Sequence, residues 1–149
     1  MLRGGCGKMV KKILFVCKFN NTRSQISAFL FNKLNKNKRW NADSVGLIGG
    51  RASYRVLRDI SVLKKNHKMK FTKKKTLTQK LLFSSDMIIV VADDVTLEIF
   101  SSQIKQGIKV IQWHVKDGWK YKDKTRVERL ERVYLDIEKR IKKLIKQLK

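Results

Sequence analysis

The residues with the most evident chemistry lie in the run Cys17-Lys18-Phe19-Asn20-Asn21-Thr22-Arg23-Ser24. It follows a short continuous apolar segment, Lys12–Cys17, and leads into Arg23–Lys36, where Ile26, Phe29, Leu30 and Leu34 recur at helical spacing. A strand, a tight loop and a helix in that order leave unpaired backbone N–H groups at the helix N-terminus, where they and the helix dipole attract an anion. Arg23 adds a planar fork of donors that fits two phosphate oxygens, a geometry lysine cannot offer. The same positive field favours a thiolate at Cys17, and a thiolate beneath a bound phosphorus atom is placed for attack. C-x5-R-S alone arises by chance in roughly one chain per few hundred. Its position between a strand and a helix gives it weight. The bland alternative makes Cys17 a buried strand end and Arg23 a surface helix residue.

Such residues need a scaffold, and the rest of the chain alternates between strand and helix patterns. Asn41–Leu47 reads as a weaker strand ended by Gly49 and Gly50, and a helix lies within Ser53–Lys65 on Val56, Leu57, Ile60 and Leu63. Thr76–Phe83 reads as a short helix with Thr76 and Gln79 spaced as a capping box. Asp86–Ala92 is the clearest strand, Asp94–Gln106 a helix closed by Gly107, Lys109–Trp113 a fourth strand, and Lys124–Leu148 a long terminal helix. This alternation predicts a three-layer α/β/α sandwich around a central four-stranded parallel sheet. Residues 1–9, glycine-rich and aperiodic, read as a flexible extension, with 10–149 a single domain.

Composition narrows the class. With 42% hydrophobic and 32% charged residues in 149, the chain suits one folded domain and not a disordered one. Its apolar runs are too short to span a bilayer, and Met1–Lys12 has no apolar core of a signal peptide. Only Cys6 and Cys17 are cysteines, so neither a disulfide framework nor a metal cluster is expected, and a reducing, cytoplasmic setting fits. His67 and His114 are too isolated for a metal site, and no nucleotide-binding glycine motif is present, so no metal and no cofactor is expected. A net charge of +24 favours polyanionic partners such as nucleic acid, an anionic membrane surface or phosphorylated substrates. It could equally be spread over solvated faces, since the only tight clusters are Lys73–Lys75 and Arg140–Lys149.

The C-x-x-N-x-x-R-S pattern of Cys17, Asn20, Arg23 and Ser24 resembles the signature of the low-molecular-weight protein tyrosine phosphatases and their archaeal and arsenate-reductase-like relatives. Looser similarity continues through Asp43–Gly46, Ser85–Asp94 and Trp113–Trp119. The resemblance implies Cys17 as nucleophile, Arg23 as phosphate clamp and Asp117 as general acid, with Asp123 the next candidate acid. Lys18, Phe19, Asn20, Asn21, Thr22 and Ser24 would then wrap the phosphate. Within that loop Asn20 and Ser24 would hold its shape, Ser24 assisting the cysteine, with Ser44 in support. Trp119 would wall a substrate ring, whereas Trp113 reads as core. Asp93 and Asp94 are open between the site and capping the helix that follows.

The implied activity is hydrolysis of a phosphate monoester, on a phosphotyrosine protein or a small molecule, through a cysteinyl-phosphate. Two other readings stand beside it: an arsenate reductase using an external thiol, and a basic polyanion- or nucleic-acid-binding protein on the same scaffold. Several departures from the family pattern bear on these. Gln25 and Gly118 replace frequent prolines, Lys18 and Phe19 replace small residues, and Thr22 stands where a second loop cysteine is common. No cysteine follows Cys17, so an internal thiol relay downstream of it cannot run.

Overall fold

In the computed structural model, residues 10–122 and 125–148 are described, and the expected extension at 1–9, with Cys6, lies outside them. The strands are β1 (Lys11–Cys17), β2 (Trp40–Gly46), β3 (Met87–Val91) and β4 (Lys109–Trp113), all parallel, in the order β2-β1-β3-β4. The helices are α1 (Arg23–Leu34), α2 (Tyr54–His67), α3 (Gln79–Ser84), α4 (Ser101–Lys105) and α5 (Arg126–Gln147). The chain runs from β1 outward to β2, then returns to β3 on the other side of β1. That reversal opens a crevice at the carboxyl ends of β1 and β3, where ligands bind in sheets of this kind.

The apolar runs are continuous because both faces of the sheet are covered. Ile13, Phe15, Ile89 and Val91 pack in one core with Ile26, Leu30 and Phe31 of α1 and Leu130, Val133, Ile137 and Ile141 of α5. Leu14, Val16, Ile88 and Val90 alternate to the opposite core with Leu82 of α3 and with Phe100. The layers are those expected. Each fully buried side chain of this size contributes roughly 1.5–3 kcal/mol before the entropy of ordering is subtracted. The core spacing of α5 is helical throughout, and Thr125 caps it, accepting from the Glu128 N–H at 3.2 Å and donating to its carboxylate at 2.9 Å.

Three expectations change. Thr76 does not begin a helix: its segment pairs with β2, Gly46 N–H donating to Lys75 O and Leu77 N–H to Gly46 O, both at 2.8 Å. The cap of α3 is Thr78, which accepts from Leu81 N–H at 3.2 Å. The stretch expected to be helical from Asp94 starts only at Leu97, as a 3-10 turn over Leu97–Phe100 followed by α4. Within α2 only Leu63 is buried, and Leu57 is exposed, so this helix lies at the rim of the fold. Among the described residues no helix is long and apolar enough to cross a membrane.

Candidate active site

β1 delivers Cys17 to the sheet's carboxyl edge, 3% exposed, and the chain wraps through residues 18–22 before α1 begins at Arg23. The loop is held from the side by the end of β2. Leu47 N–H donates to Cys17 O at 3.1 Å and Ile48 N–H to Lys18 O at 2.9 Å. This approach is so close that a Cβ on Gly46 would stand 2.6 Å from the carbonyl carbon of Phe19 and 2.7 Å from the nitrogen of Asn20. Only glycine fits there.

Asn20 turns the loop through the left-handed region, with φ of 58°, a conformation asparagine tolerates better than most residues. Its side chain is fully buried and fully used. The amide donates to Ser24 Oγ at 2.8 Å and Ser44 Oγ at 3.0 Å, while its Oδ1 accepts from Lys75 N–H at 3.1 Å. The Lys75 N–H can only donate, so the orientation of the Asn20 amide is fixed by chemistry. Ser24 Oγ lies 3.0 Å from Cys17 Sγ. Asn20 supplies a hydrogen to that oxygen, which leaves the serine's own hydrogen free to be given to the sulfur and its second lone pair free to accept from it. Buried Gln25 ties the same region to a distant segment: its Nε2 donates to Thr72 O at 3.0 Å and its Oε1 accepts from Thr72 N–H at 3.1 Å.

The opposite wall is charged. The Arg23 guanidinium, buried, donates to Val115 O at 3.0 Å and to Asp94 at 3.3 Å, with Asp93 at 3.6 Å and Asp117 at 3.7 Å. Lys120 meets both oxygens of Asp93 at 3.0 Å. Asp93 and Asp94 therefore face Arg23, and among the described residues neither gives a side-chain cap to the turn that follows. The 3-10 turn beyond them is preceded by Thr96. Arginine carries five N–H donors, and two hydrogen bonds use two of them.

The structure thus joins Cys17, Asn20, Ser24 and Ser44 in one hydrogen-bonded group, and Arg23 with Asp93, Asp94 and Asp117 in another. Lys18 lies over the Phe19 ring at 5.4 Å, and Phe19 is 41% exposed at the mouth of the loop. Asn21 and Thr22 line a groove of about 390 Å³ that starts at the loop and also touches Asp117 and Gly118. The side chain of Trp119, expected to wall a ring, and Asp123 lie outside the described residues. Trp113 packs 5.8 Å from Phe15, partly buried against the core. His67 pairs with Glu131 at 2.7 Å and stacks on Tyr134, and no group of residues among those described could hold a metal.

Sequence reasoning assigned no site role to Gly46, Gln25 or the groove arginines described below. The glycine within the Asp43–Gly46 match was the one available signal for the first. Gln25 and the arginines signal nothing locally, because their partners lie far along the chain.

A parallel sheet whose reversal point carries a loop running from Cys17 to Arg23 defines an open three-layer α/β fold. The family model for low molecular weight phosphotyrosine protein phosphatase matches residues 12–149, and the chain belongs to that family of hydrolases. Among solved structures it resembles a low molecular weight protein tyrosine phosphatase from T. tengcongensis at 24% identity and TM-score 0.73, covering 93% of this chain and 99% of that one. An arsenate reductase from Archaeoglobus fulgidus shares 28% identity at TM-score 0.66, covering 91% and 99%. An arginine phosphatase from Geobacillus stearothermophilus shares 18% at TM-score 0.68, covering 92% of each, a likeness of fold alone. No curated protein matches the chain by sequence.

Proposed function

We propose that the protein hydrolyses phosphate monoesters, tyrosine phosphate on proteins foremost, with Cys17 as nucleophile. The observation that carries this is the pairing of Cys17 Sγ with Ser24 Oγ inside a loop whose Arg23 also faces Asp117. The phosphoryl group would sit against the loop N–H groups and the guanidinium. The thiolate attacks phosphorus, forming the S–P bond as the ester P–O bond breaks, and Asp117 gives its proton to the departing oxygen. Water then attacks the cysteinyl-phosphate, losing a proton to Asp117, and inorganic phosphate leaves with the thiolate restored. No metal or cofactor is required by this sequence of steps, and a cytoplasmic setting suits a working thiolate.

The test is hydrolysis of p-nitrophenyl phosphate and a phosphotyrosine peptide by wild type and Cys17→Ser. Turnover is expected in the first and none in the second, because a serine hydroxyl is not ionised near neutral pH and no base adjoins it. Equal activity in both proteins would remove Cys17 from the mechanism. The 28% identity to an arsenate reductase favours a second reading, arsenate reduction. Cys17 is the only cysteine among the described residues. Reduction would then draw on an external thiol, so arsenate consumed in the presence of thioredoxin or glutaredoxin separates it from phosphatase chemistry.

A further inference from the structure

The groove that leads away from the anion loop ends on arginine. Beyond Phe19, Asn21, Thr22 and Asp117 it is lined by Arg51, Arg55, Arg126 and Arg129, with Asp59 as the one other carboxylate. Asp59 is already engaged by Arg126 at 2.8 Å, and that guanidinium also donates to the Arg55 carbonyl at 3.2 Å. The pair thus fixes the first turn of α2 against the start of α5. Arg129 is anchored in turn on Lys122 O at 3.1 Å. Arg51 and Arg55 differ from both. They are exposed, and among the described residues neither belongs to an ion pair. The backbone next to Arg51 is held in place, because Lys74 Nζ donates to Gly50 O at 2.9 Å.

Four arginines against Asp59 and Asp117 leave the groove with an excess of two positive charges. Its volume of about 390 Å³ lies within the range of pockets that take in a whole ligand and not a phosphate alone. Resting on the phosphatase reading of the adjoining loop, we infer that this groove selects phosphopeptides with acidic side chains beside the phosphorylated residue. Arg51 and Arg55 take the flanking carboxylates. Arg126 and Arg129, held by the protein's own groups, set the position of that wall. Arginine suits the task because its planar fork binds a carboxylate through two parallel bonds. The wall acts on binding and encounter and leaves the reacting atoms alone, so its effect falls in KM and fades with added salt.

The experiment compares kcat/KM on two phosphotyrosine peptides of equal length, one flanked by Asp and Glu, the other by Ala. At low ionic strength wild type should prefer the acidic peptide by about three- to tenfold, the scale of one or two exposed charge pairs. Arg51→Ala/Arg55→Ala should lose most of that preference and keep its rate on p-nitrophenyl phosphate. Lys143→Ala/Lys146→Ala removes the same charge on α5, roughly 25 Å along the helix from Arg126, and should keep the preference. Equal use of the two peptides by wild type overturns the inference, as does equal loss in both double variants, which would assign the effect to overall charge. Equilibrium binding of both peptides to Cys17→Ser, with and without the two arginines, separates the groove from the chemistry. If wild type hydrolyses neither peptide, the phosphatase reading falls, while arginine-dependent binding of the acidic peptide still supports the groove.

Discussion

The two walls of the site are built on opposite principles. On the side of β2, Asn20, Ser24, Ser44 and Gln25 are neutral, buried and hydrogen-bonded to one another or to backbone. On the side of β3 and β4, Arg23 meets three carboxylates, two of which lie more than a quarter exposed, and the groove beyond is lined with arginine. A neutral buried network keeps one geometry because each broken bond leaves an unpaired polar group, at about 1–3 kcal/mol. Charges at a wet edge are screened and can exchange partners when an anion arrives. The first wall thus fixes the shape of the loop, and the second responds to what enters it.

If that division is right, changes on the two sides should differ in kind. The largest effect is expected on the charged side. Asp117→Asn should slow phosphotyrosine hydrolysis by about 10²–10⁴-fold, the usual worth of general acid catalysis, and p-nitrophenyl phosphate by much less. The nitrophenolate leaves without needing a proton, and KM should change little for either. Wild-type rates on both substrates would move the acid elsewhere. On the neutral side Gly46→Ala pushes a methyl group into the loop backbone. Displacing a reacting atom by about 1 Å can cost on the order of 10²-fold. Both substrates should lose rate alike, with unchanged circular dichroism, and a selective loss on phosphotyrosine would break the comparison.

The smallest effect belongs to Gln25→Ala. It removes the bonds to the Thr72 N–H and carbonyl, and because Thr72 is exposed to water the loss is about 0.5–1.5 kcal/mol. For a domain of this size that lowers Tm by roughly 2–4 °C per kcal/mol. Activity should stay within a few-fold, since Asn20 still holds the loop. A Tm equal to wild type would show that the Gln25 bridge contributes nothing.

Which features could be read from the sequence follows from how local their causes are. The strand, loop and helix that carry Cys17 and Arg23 were legible because they lie within about two dozen residues, with apolar period and motif in agreement. The layered sheet followed from alternation along the chain. What escaped was set by partners far away. Thr76 has the spacing of a capping box, but the backbone on either side of it, at Lys75 and Leu77, is paired with Gly46, and Thr78 caps instead. Asp93 and Asp94 look like the start of a helix until Arg23, some 70 residues earlier, draws them in. Gln25 reads as a departure from proline, and only the segment carrying Thr72 gives it a purpose. The groove arginines come from the α2 region and α5, and nothing in either stretch alone signals that they share a wall.

The polar side chains beside Cys17 are joined in one chain of hydrogen bonds. Asn20 donates to Ser24 from an amide whose orientation is locked by Lys75, and the serine can then give its own hydrogen to a thiolate sulfur or accept one from a thiol. In the proposed cycle that sulfur gives up its negative charge on forming the phosphoenzyme and recovers it when phosphate leaves. Around an ordinary thiol, neighbouring hydroxyls or waters would swing round at each change, and that reorganisation would add to the barrier. Here the serine oxygen is held in place by Asn20, so the adjustment is confined to one hydroxyl hydrogen while the heavy atoms stay where they are.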